Sequence, residues 1–418
     1  MLASSHKAAA QLAPASNMLS ESLLDELRTR RYAFGDWGGA RTRLANRGVT
    51  FDFHYTTDLL ANVTGGDKND YTGWGRLRGT MDVDFGKFSS WHGLRFHVTG
   101  LWQFGANLGA DLGTLANPSG VVSAHATRLD SFWFQQELFG GTLFRKAGQF
   151  AGQDFYGVQD YRGSLLGEPV DYAHGNLFAN VYESFDPAST PAAEIRLVPD
   201  PHFYVKAAIT AANRNPYAQD TTGFHFAIRN NGSPLFEVGF LPHAPDSAVD
   251  ARKKTYPGLY RLGAIYNNGL FTNPLTKVTS HGNYLVYVMA NQAVYRPEAG
   301  SARGLEAFFT YDYSPTDVNQ LNSETTTGAR YIGLLPKRAD DSLAASLIYS
   351  KISDTFNAAY FDQGPPVLGS EKVTEVNYLI QVTPWWIVQP TYQHDWSWGA
   401  NPNSGSASIL GFPTQVTY

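Results

Sequence analysis

The sequence predicts an all-β protein: a single transmembrane antiparallel β-barrel of about sixteen strands, with a short N-terminal helical segment. Charged residues make up 17% of the chain and aromatic residues 14%, whereas soluble domains average about 25% charged residues. No apolar run reaches the roughly 18 residues that a membrane-spanning helix needs. Low charge and many aromatic residues without such a helix are typical of a membrane barrel, in which only every second residue meets lipid.

The end of the chain predicts a strand that runs to the last residue. Leu410, Phe412, Val416 and Tyr418 alternate with smaller or more polar residues and therefore share one face. Such a strand exposes an edge unless it pairs, and closure against the first strand removes that edge. If its apolar face points outward, lipid surrounds the barrel. An aromatic last residue on this face makes Tyr418 the candidate signal for the barrel-assembly machinery.

Residues 1–34 are predicted to precede the barrel. Residues 1–17 are small and polar and are expected to be disordered, while leucines at helical spacing over 19–27 predict a short amphipathic helix. A helix packing at the periplasmic base of the barrel is the simpler interpretation, and a plug or partner-docking element is the alternative. Residues 1–31 show no export signal. Since an outer-membrane protein must be exported, we expect the sequence to be either the mature form or a trimmed version of it.

The barrel region is predicted to span residues 35–418, beginning with a GDWGG turn at 35–39. From Val49 the apolar period becomes two, because Val49, Phe51, Phe53 and Tyr55 alternate with polar residues. Lipid on one side and water on the other requires this pattern. The predicted strands cover residues 49–63, 71–88, 91–104, 128–139, 142–155, 190–199, 202–214, 223–241, 258–267, 284–297, 303–315, 325–335, 341–353, 371–385, 387–398 and 407–418.

The lengths of the connections favour a membrane barrel over a soluble β-sandwich, which the alternation alone does not exclude. Connections after even-numbered strands are mostly tight, whereas several after odd-numbered strands are long, notably 105–127, 156–189 and 354–370. Short periplasmic turns that alternate with longer outer loops are the signature of an outer-membrane barrel. The connection 242–257 breaks this rule, and we attribute it to an incorrectly divided eighth strand.

Four blocks of the sequence resemble one protein family. They are YAFGDWGGARTRLANRGVTFDFHYTTDLLANVTGG, GLYRLGAIYNN, GARYIGLLPKRADDSLAASLIYSKIS and EKVTEVNYLIQVTPWWIVQPTYQHD. They follow one another in family order over most of residues 32–418, and they resemble the carbohydrate-selective porin (OprB-like) family. The resemblance implies a sixteen-stranded channel of the Gram-negative outer membrane that passes mono- or small oligosaccharides by facilitated diffusion.

The polar strand faces supply candidate pore-lining residues. Arginine forks donate and carboxylates accept hydrogen bonds, so together they suit the hydroxyls of a sugar, provided that binding stays weak. The candidates on the first three strands are Arg76, Arg78, Arg95, Asp52, His54, Asp82 and Asp84, and those on later strands are Glu306, Asp312, Glu375, Asn377 and Gln381. The alternative for each of these residues is that it only forms part of a hydrated, charge-balanced lumen wall and does not bind sugar. It fits the Arg76/Arg78 pair least, because like charges two apart on one face are costly.

The long connection 156–189 is rich in aromatic and charged residues. Its candidates for narrowing the pore are Tyr156, Asp160, Tyr161, Arg162, Glu168 and Asp171. A connection of this length and composition is expected to be packed, either folded into the barrel or covering its mouth from outside. Four tryptophans bracket the fifteenth strand and are expected in the interfacial girdles: Trp385, Trp386, Trp396 and Trp398.

The sequence gives no reason to expect catalysis, a cofactor, a metal or nucleic acid. It has no cysteine, and its 11 histidines form no HExxH motif. The GxSxG motif of serine hydrolases is absent. The net charge of −5 does not indicate the basic surface that nucleic-acid binding requires. Expected partners are small sugars, outer-membrane lipid or lipopolysaccharide, and the barrel-assembly machinery; a homo-oligomer stays open. Two alternatives remain: a soluble or surface carbohydrate-binding β-protein, and a plugged structural barrel that docks partners through its N-terminal helix.

Overall fold

The computed structural model describes residues 24–121, 125–150, 154–155, 165–171, 175–181, 189–211, 221–224, 226, 232–242, 254–361 and 367–418. Its first fourteen strands are β1 Val49–Thr64, β2 Tyr71–Asp84, β3 Leu94–Phe104, β4 Ala126–Leu138, β5 Leu143–Phe150, β6 Thr190–Asp200, β7 Phe203–Ala211, β8 Gly232–Phe240, β9 Gly258–Thr272, β10 Thr279–Tyr295, β11 Gly304–Tyr313, β12 Leu321–Ile332, β13 Ser342–Ile352 and β14 Ser370–Thr383. The last two are β15, made of Trp386–Val388 and Thr391–Asp395, and β16, made of Ala407–Gly411 and Thr414–Thr417.

The 18 strand segments of the described chain pair as one antiparallel sheet, and they amount to sixteen barrel strands because β15 and β16 are each interrupted once. Prolines cause the interruptions, since Pro390 and Pro413 have no N–H to donate. The two breaks lie side by side: the N–H of Gln389 donates to the carbonyl of Pro413 at 2.8 Å. Each predicted strand corresponds to one observed strand, so the predicted fold class is confirmed.

The sheet closes between its first and last strands, as the sequence predicted. β1 pairs with β2 on one side and with both segments of β16 on the other. In this seam Tyr55 lies opposite Val416 and Ala61 lies opposite Leu410. Closure gives a partner to the strand edges that would otherwise be exposed in the bilayer.

The connections fall into two classes at the two ends of the barrel. Turns such as 139–142, 201–202 and 384–385 join strands at one end, which holds the start of β1 and the end of β16, and the long connections 105–125, 151–189 and 353–369 lie at the other. The interpretation of 242–257 was wrong. β8 pairs with β9 up to Phe240 opposite Tyr260, so the predicted end of strand eight is correct within one residue and the connection after it is long. The error lies at the start of the strand, because β8 begins at Gly232 and not at residue 223.

The apolar face of the strands points outward. On β9 the exposed side chains include Tyr260, Leu262 and Leu270, whereas Arg261 and Asn267, which alternate with them, are buried inside the barrel. The same holds at the seam, where Leu410 and Phe412 are exposed. An exposed apolar band around a closed barrel is the surface that lipid requires. A soluble β-protein would bury that face instead.

The described N-terminal segment packs at the turn end of the barrel. Residues 24–29 are helical, residues 33–39 form the predicted turn, and a helix over Ala40–Asn46 was not predicted. Trp385 donates from Nε1 to the carbonyl of Leu27 at 2.7 Å, and Trp37 packs against the outward rings of Phe51 and Phe53. The predicted disorder of residues 1–17 lies outside the described residues. No helix in the described part of the chain is long and apolar enough to cross a membrane.

Candidate functional site

Part of the connection 151–189 runs inside the barrel. Leu165 and Val170 are buried against Phe308, Ile348 and Val373, which point inward from β11, β13 and β14. Further along, the 3-10 helix Gly175–Val181 packs on the inward side chains of β7 to β10 through the buried residues Leu177 and Val181. The connection therefore touches two different parts of the inner wall. Of the two interpretations drawn from the sequence, the described residues follow the inward one.

Buried carboxylates hold this connection and its neighbour to the wall. Glu375 on β14 accepts hydrogen bonds from the backbone N–H groups of Leu166 at 2.7 Å and Gly167 at 2.9 Å. Glu371, four residues earlier on the same inward row, accepts from the N–H groups of Leu115 at 2.8 Å and Ala116 at 2.7 Å. Backbone groups that leave water need such partners, and bonds to a charged acceptor are the stronger kind.

Asparagine side chains make corresponding contacts on the part of the wall formed by β9 to β12. Asn267 of β9 donates to the carbonyl of Val181 at 2.7 Å, and Asn283 of β10 donates to the carbonyl of Asn180 at 2.6 Å. Asn180 in turn donates to the carbonyl of Leu321 on β12 at 2.8 Å. These bonds fix the backbone of residues 180–181 at several points.

The connection 105–121 also folds inward. Its helix Leu108–Leu112 is capped by Asn107, whose Oδ1 accepts from the N–H of Gly109 at 3.0 Å. The buried leucines of the helix pack on Leu60, Trp74 and Ile409 at the loop end of β1, β2 and β16. Two connections therefore share the interior of the barrel.

Cations line the inner wall on the side of β2 to β9. Arg76 donates from Nε to the side-chain oxygen of Gln103 at 3.0 Å, and Arg78 lies 3.5 Å from the carboxylate of Asp130. Both arginines thus face the lumen, as the period of two predicted. Sequence reasoning missed the other cations on inward positions of this wall, although the same alternation identifies them: Arg128, Lys146, Arg196, Lys206 and Arg261.

A buried cluster around Glu237 on this wall was also missed. Lys206 lies 2.8 Å from Glu237, and Tyr204 and Tyr287 each donate a hydroxyl hydrogen bond to it at 2.7 Å. Each tyrosine lies over a glycine of the neighbouring strand, Gly239 and Gly263, where an added Cβ would come within 2.2 Å of the ring. These cross-strand glycines are a signal that sequence analysis could have used.

The candidates nearest the turn end form two acid–histidine pairs in half-exposed positions. His54 lies 2.9 Å from Asp52, and His97 lies 2.7 Å from Asp82. The ring of His97 also stacks on Trp133 at 4.6 Å. Asp84 instead accepts from the N–H of Gly86 and caps a 3-10 turn, and Arg95 is exposed. The candidates on β1 to β3 therefore lie at two heights in the barrel. The acid–histidine pairs are near the turn end, and Arg76 and Arg78 are farther from that end.

The acidic candidates of later strands face inward but are covered. Glu306 is paired with Arg296 and Arg330, each at 2.6 Å. Asp312 is 1% exposed and lies opposite Glu324 of β12. Glu375 is also 1% exposed because it holds the 165–171 segment. Asn377 and Gln381 continue the same inward row of β14, with Asn377 donating to Glu375 at 2.7 Å.

The candidates in the long connection are only partly described. Glu168 begins the short helix Glu168–Asp171, and its N–H donates to the carbonyl of Asn117 at 3.0 Å, which ties the two inward connections together. Asp171 ends that helix. Tyr156, Asp160, Tyr161 and Arg162 lie outside the described residues.

Two of the four tryptophans occupy the expected outer positions. Trp386 and Trp396 are exposed on the outward face at opposite ends of β15. The expectation was wrong for the other two. Trp385 is half-buried against the N-terminal segment through Leu27, and Trp398 packs beside the helix Leu108–Leu112 and donates to Asp67. Among the described residues, no group of three or more histidines and acids could hold a metal ion.

Comparison with known proteins gives this barrel relatives of described function. Residues 68–418 match the model of a family described as carbohydrate-selective porin, OprB family. Porin B of Pseudomonas aeruginosa is 25% identical over 430 residues, covering 93% of this chain and 91% of that protein. The high-pH structure of Pseudomonas putida OprB has a TM-score of 0.84 at 21% identity, covering 94% of this chain and 99% of that one. The low-pH structure has a TM-score of 0.61 at 18% identity with the same coverage.

Proposed function

The chain belongs to the carbohydrate-selective porin, OprB family, and we propose from that membership how this outer-membrane porin selects among the solutes that diffuse through it. The route passes the cationic wall of β2 to β7. Residues 154 and 155 of the connection 151–189 contact this wall, because Lys146 and Lys206 donate to their carbonyls, and residues 165–171 of the same connection lie on β11 to β14. Sugars cross this route passively, down their concentration gradient. Weak contacts suffice, because a solute held tightly would not leave the channel.

The observation that carries the proposal is the position of Arg76 and Arg78 on adjacent inward sites of one strand. Each guanidinium has five N–H donors in a fixed plane. Arg76 is buried and donates to Gln103 and to the carbonyl of Gly120, so Arg78, whose side chain is 17% exposed, is the one that presents donors directly to the hydroxyls of a passing sugar. The acidic candidates contribute differently. Glu375 and Glu306 have their oxygens committed to the loop backbone and to arginines, so the contacts offered to sugar are richer in donors than in acceptors.

The connection 151–189 narrows this route in our proposal. Support comes from the burial of Leu165 and Val170 inside the barrel and from the backbone contact of Glu168 with Asn117. Asp171 follows in the same segment. The proposal extends to four residues of the connection outside the described part, whose aromatic rings and charges suit a sugar constriction: Tyr156, Asp160, Tyr161 and Arg162.

The proposal has no catalytic step, since the family consists of channel proteins. Lipopolysaccharide and the barrel-assembly machinery are proposed as partners on the strength of the outward apolar face and of Tyr418 at the end of the closing strand.

Conductance of the purified protein in planar bilayers, titrated with mono- and disaccharides, tests the proposal. Open channels whose ion current falls in a saturable way as sugar is added are the expected result. A barrel with no open-channel current would be a plugged structural barrel, and a current that no carbohydrate reduces would contradict sugar contact at the constriction.

A further inference from the structure

The outward face of the barrel carries a polar cluster at the loop end of β13 to β16. We name it the outer-wall cluster, and it consists of Lys351, Tyr392, Lys372, His394, Trp396 and Ser408. These residues alternate along their strands with buried, inward-facing ones such as Ser350, Glu371 and Gln393. Their side chains therefore point away from the lumen and have no part in the route proposed for sugars.

Three members of the cluster are bonded to one another across β15 and β16. His394 Nδ1 lies 3.0 Å from the hydroxyl of Ser408, and the hydroxyl of Tyr392 lies 3.2 Å from the same oxygen. The ring of Trp396 meets the His394 ring edge-on at 4.5 Å. This arrangement fixes the orientation of a polar group on a face that is otherwise apolar.

Two lysines stand beside this group on neighbouring strands. Lys372 lies opposite Tyr349, and Lys351 lies opposite Ser370, so the two lysines are diagonal neighbours at about 7–8 Å between backbones. Both are exposed. Like charges so placed repel each other, and a lipid-facing wall offers little water to screen them. An anion bound between the two ammonium groups removes this cost.

The carboxylates nearest to the lysines along the strands point the other way. Glu371 precedes Lys372 and is 1% exposed, with its oxygens bonded to the backbone of Leu115 and Ala116 inside the barrel. Asp395 follows His394 and is also buried. Among the described residues no carboxylate forms an ion pair with either lysine, and the ammonium of Lys372 lies 5.9 Å from the ring centre of Tyr349. An anion from outside the barrel wall can therefore reach both lysines.

The height of the cluster indicates the kind of anion. Lys351, Lys372 and His394 lie within three residues of the loop ends of their strands, or about 10 Å at 3.3 Å per residue. This is the level of aromatic girdles and lipid headgroups. Below it the same strands expose Leu347 and Val376. A cationic pair above an apolar surface matches an amphiphile with a phosphate headgroup and acyl chains.

We propose that the outer-wall cluster binds the phosphate of an anionic lipid of the outer leaflet, of the lipid A class. The two lysines contact the phosphate, the Tyr392–His394–Ser408 group donates further hydrogen bonds, and the acyl chains lie along β13 and β14. The inference depends on the outer-membrane location of the barrel but not on sugar passage. A failure of lipid binding therefore says nothing against sugar passage, and a failure of sugar passage says nothing against lipid binding.

Thermal unfolding of the delipidated protein in detergent tests the proposal. The wild type, K351Q/K372Q and K351R/K372R are each titrated with bisphosphorylated lipid A, with phosphatidylcholine and with inorganic phosphate. The midpoint temperature of unfolding of the wild type should rise when lipid A is added and should not change with phosphatidylcholine or inorganic phosphate. The double glutamine variant should need about tenfold more lipid A for the same rise, and the arginine variant should behave like the wild type.

Arg145 provides the matched control, because it is an exposed outward cation on β5 near the turn end. R145Q should titrate like the wild type. Equal titration of K351Q/K372Q and the wild type would overturn the proposal, as would equal protection by phosphatidylcholine. Protection by inorganic phosphate at the same concentration would overturn the lipid assignment in favour of a free anion. Sugar-blocked conductance of K351Q/K372Q should remain at the wild-type level, which shows that the variant folds.

Discussion

Tyr418 joins the two ends of the barrel through both its backbone and its ring. Its N–H donates to the carbonyl of Phe53 at 2.7 Å, its carbonyl accepts from Arg41 at 2.8 Å, and its ring packs 4.9 Å from that of Phe34. Tyr418 thus contacts both β1 and the N-terminal segment. Because its ring lies beside that of Phe34 at the closing seam, we propose Tyr418 as the residue that the barrel-assembly machinery recognises.

Replacement of Tyr418 by Asp should strongly lower the amount of barrel in the outer membrane. The charge would enter the apolar surface formed with Phe34 and remove the aromatic ring. Heat-modifiable protein in isolated outer membranes measures the outcome. Y418F keeps the ring and should accumulate normally; equal levels of the Asp and Phe variants would show that the aromatic terminus is not needed.

Arg76 and Arg78 should control both ion preference and sugar block. Replacing both with Ala removes two inward cations and their donors and widens the route. We expect a higher small-ion current, a reversal potential shifted toward cations and a weaker block by sugar, all measured in planar bilayers. R76K/R78K keeps the charge without the planar fork, so it should restore the ion preference but not the full sugar block. Unchanged permeation in R76A/R78A would remove these residues from the selective part of the route.

Single residues show how far sequence reasoning reaches inside this barrel. Alternation placed Arg76, Arg78 and Glu375 on the inward face because a strand has a side-chain period of two. It could not tell that Glu375 holds the backbone of Leu166 and Gly167, because that contact joins segments about two hundred residues apart in the chain. An inward position was therefore predictable, whereas the partner that makes it structural was not.

At the scale of elements, the inward connections depend on a few buried acceptors. Hydrogen bonds to charged groups stabilise by about 1.5–3 kcal/mol, and buried donors left without a partner cost about as much. Glu375 accepts two such bonds from the 165–171 segment, so that segment owes its position to one side chain as well as to the burial of Leu165 and Val170.

Replacement of Glu375 by Ala should loosen this connection without opening the barrel. We expect the free energy of unfolding to fall by about 1–3 kcal/mol. Single-channel records should show currents that are larger or that fluctuate more often. Gln381 provides the control, because it lies on the same inward row of β14 but bonds only near the turn end, to Thr383. If E375A and Q381A give the same steady current, residues 165–171 are held by packing alone.

Elements also differed in how readily the sequence predicted them. The strands were predicted because lipid on one face and water on the other imposes a clear alternation. The helix Ala40–Asn46 was missed, since its sequence ARTRLAN is too short to show a period. It starts after Gly39, whose φ of 84° is readily adopted only by glycine. The long connection 241–257 was misread because regular turn lengths were assumed at that end.

For the whole molecule, the decisive feature is the seam between β1 and β16. Ala61 and Leu410 lie opposite each other there on the outward face, and paired residues of neighbouring antiparallel strands are about 4.5–5.5 Å apart. That spacing lies within the range that a disulfide can bridge. The chain contains no cysteine, so two introduced cysteines can pair only with each other or with another molecule.

Oxidised A61C/L410C should therefore form an intramolecular disulfide that closes nearly the whole chain into a covalent ring. On a non-reducing gel the boiled protein should migrate faster than its reduced form, because a closed loop is more compact than a linear unfolded chain. The control A61C/L347C pairs Ala61 with an outward residue of β13, which is not adjacent to β1, and should show no such shift. A shift in the control, or none in A61C/L410C despite oxidation, would contradict closure through this register. Wild-type conductance of the oxidised variant would show that the closed ring is the form that conducts.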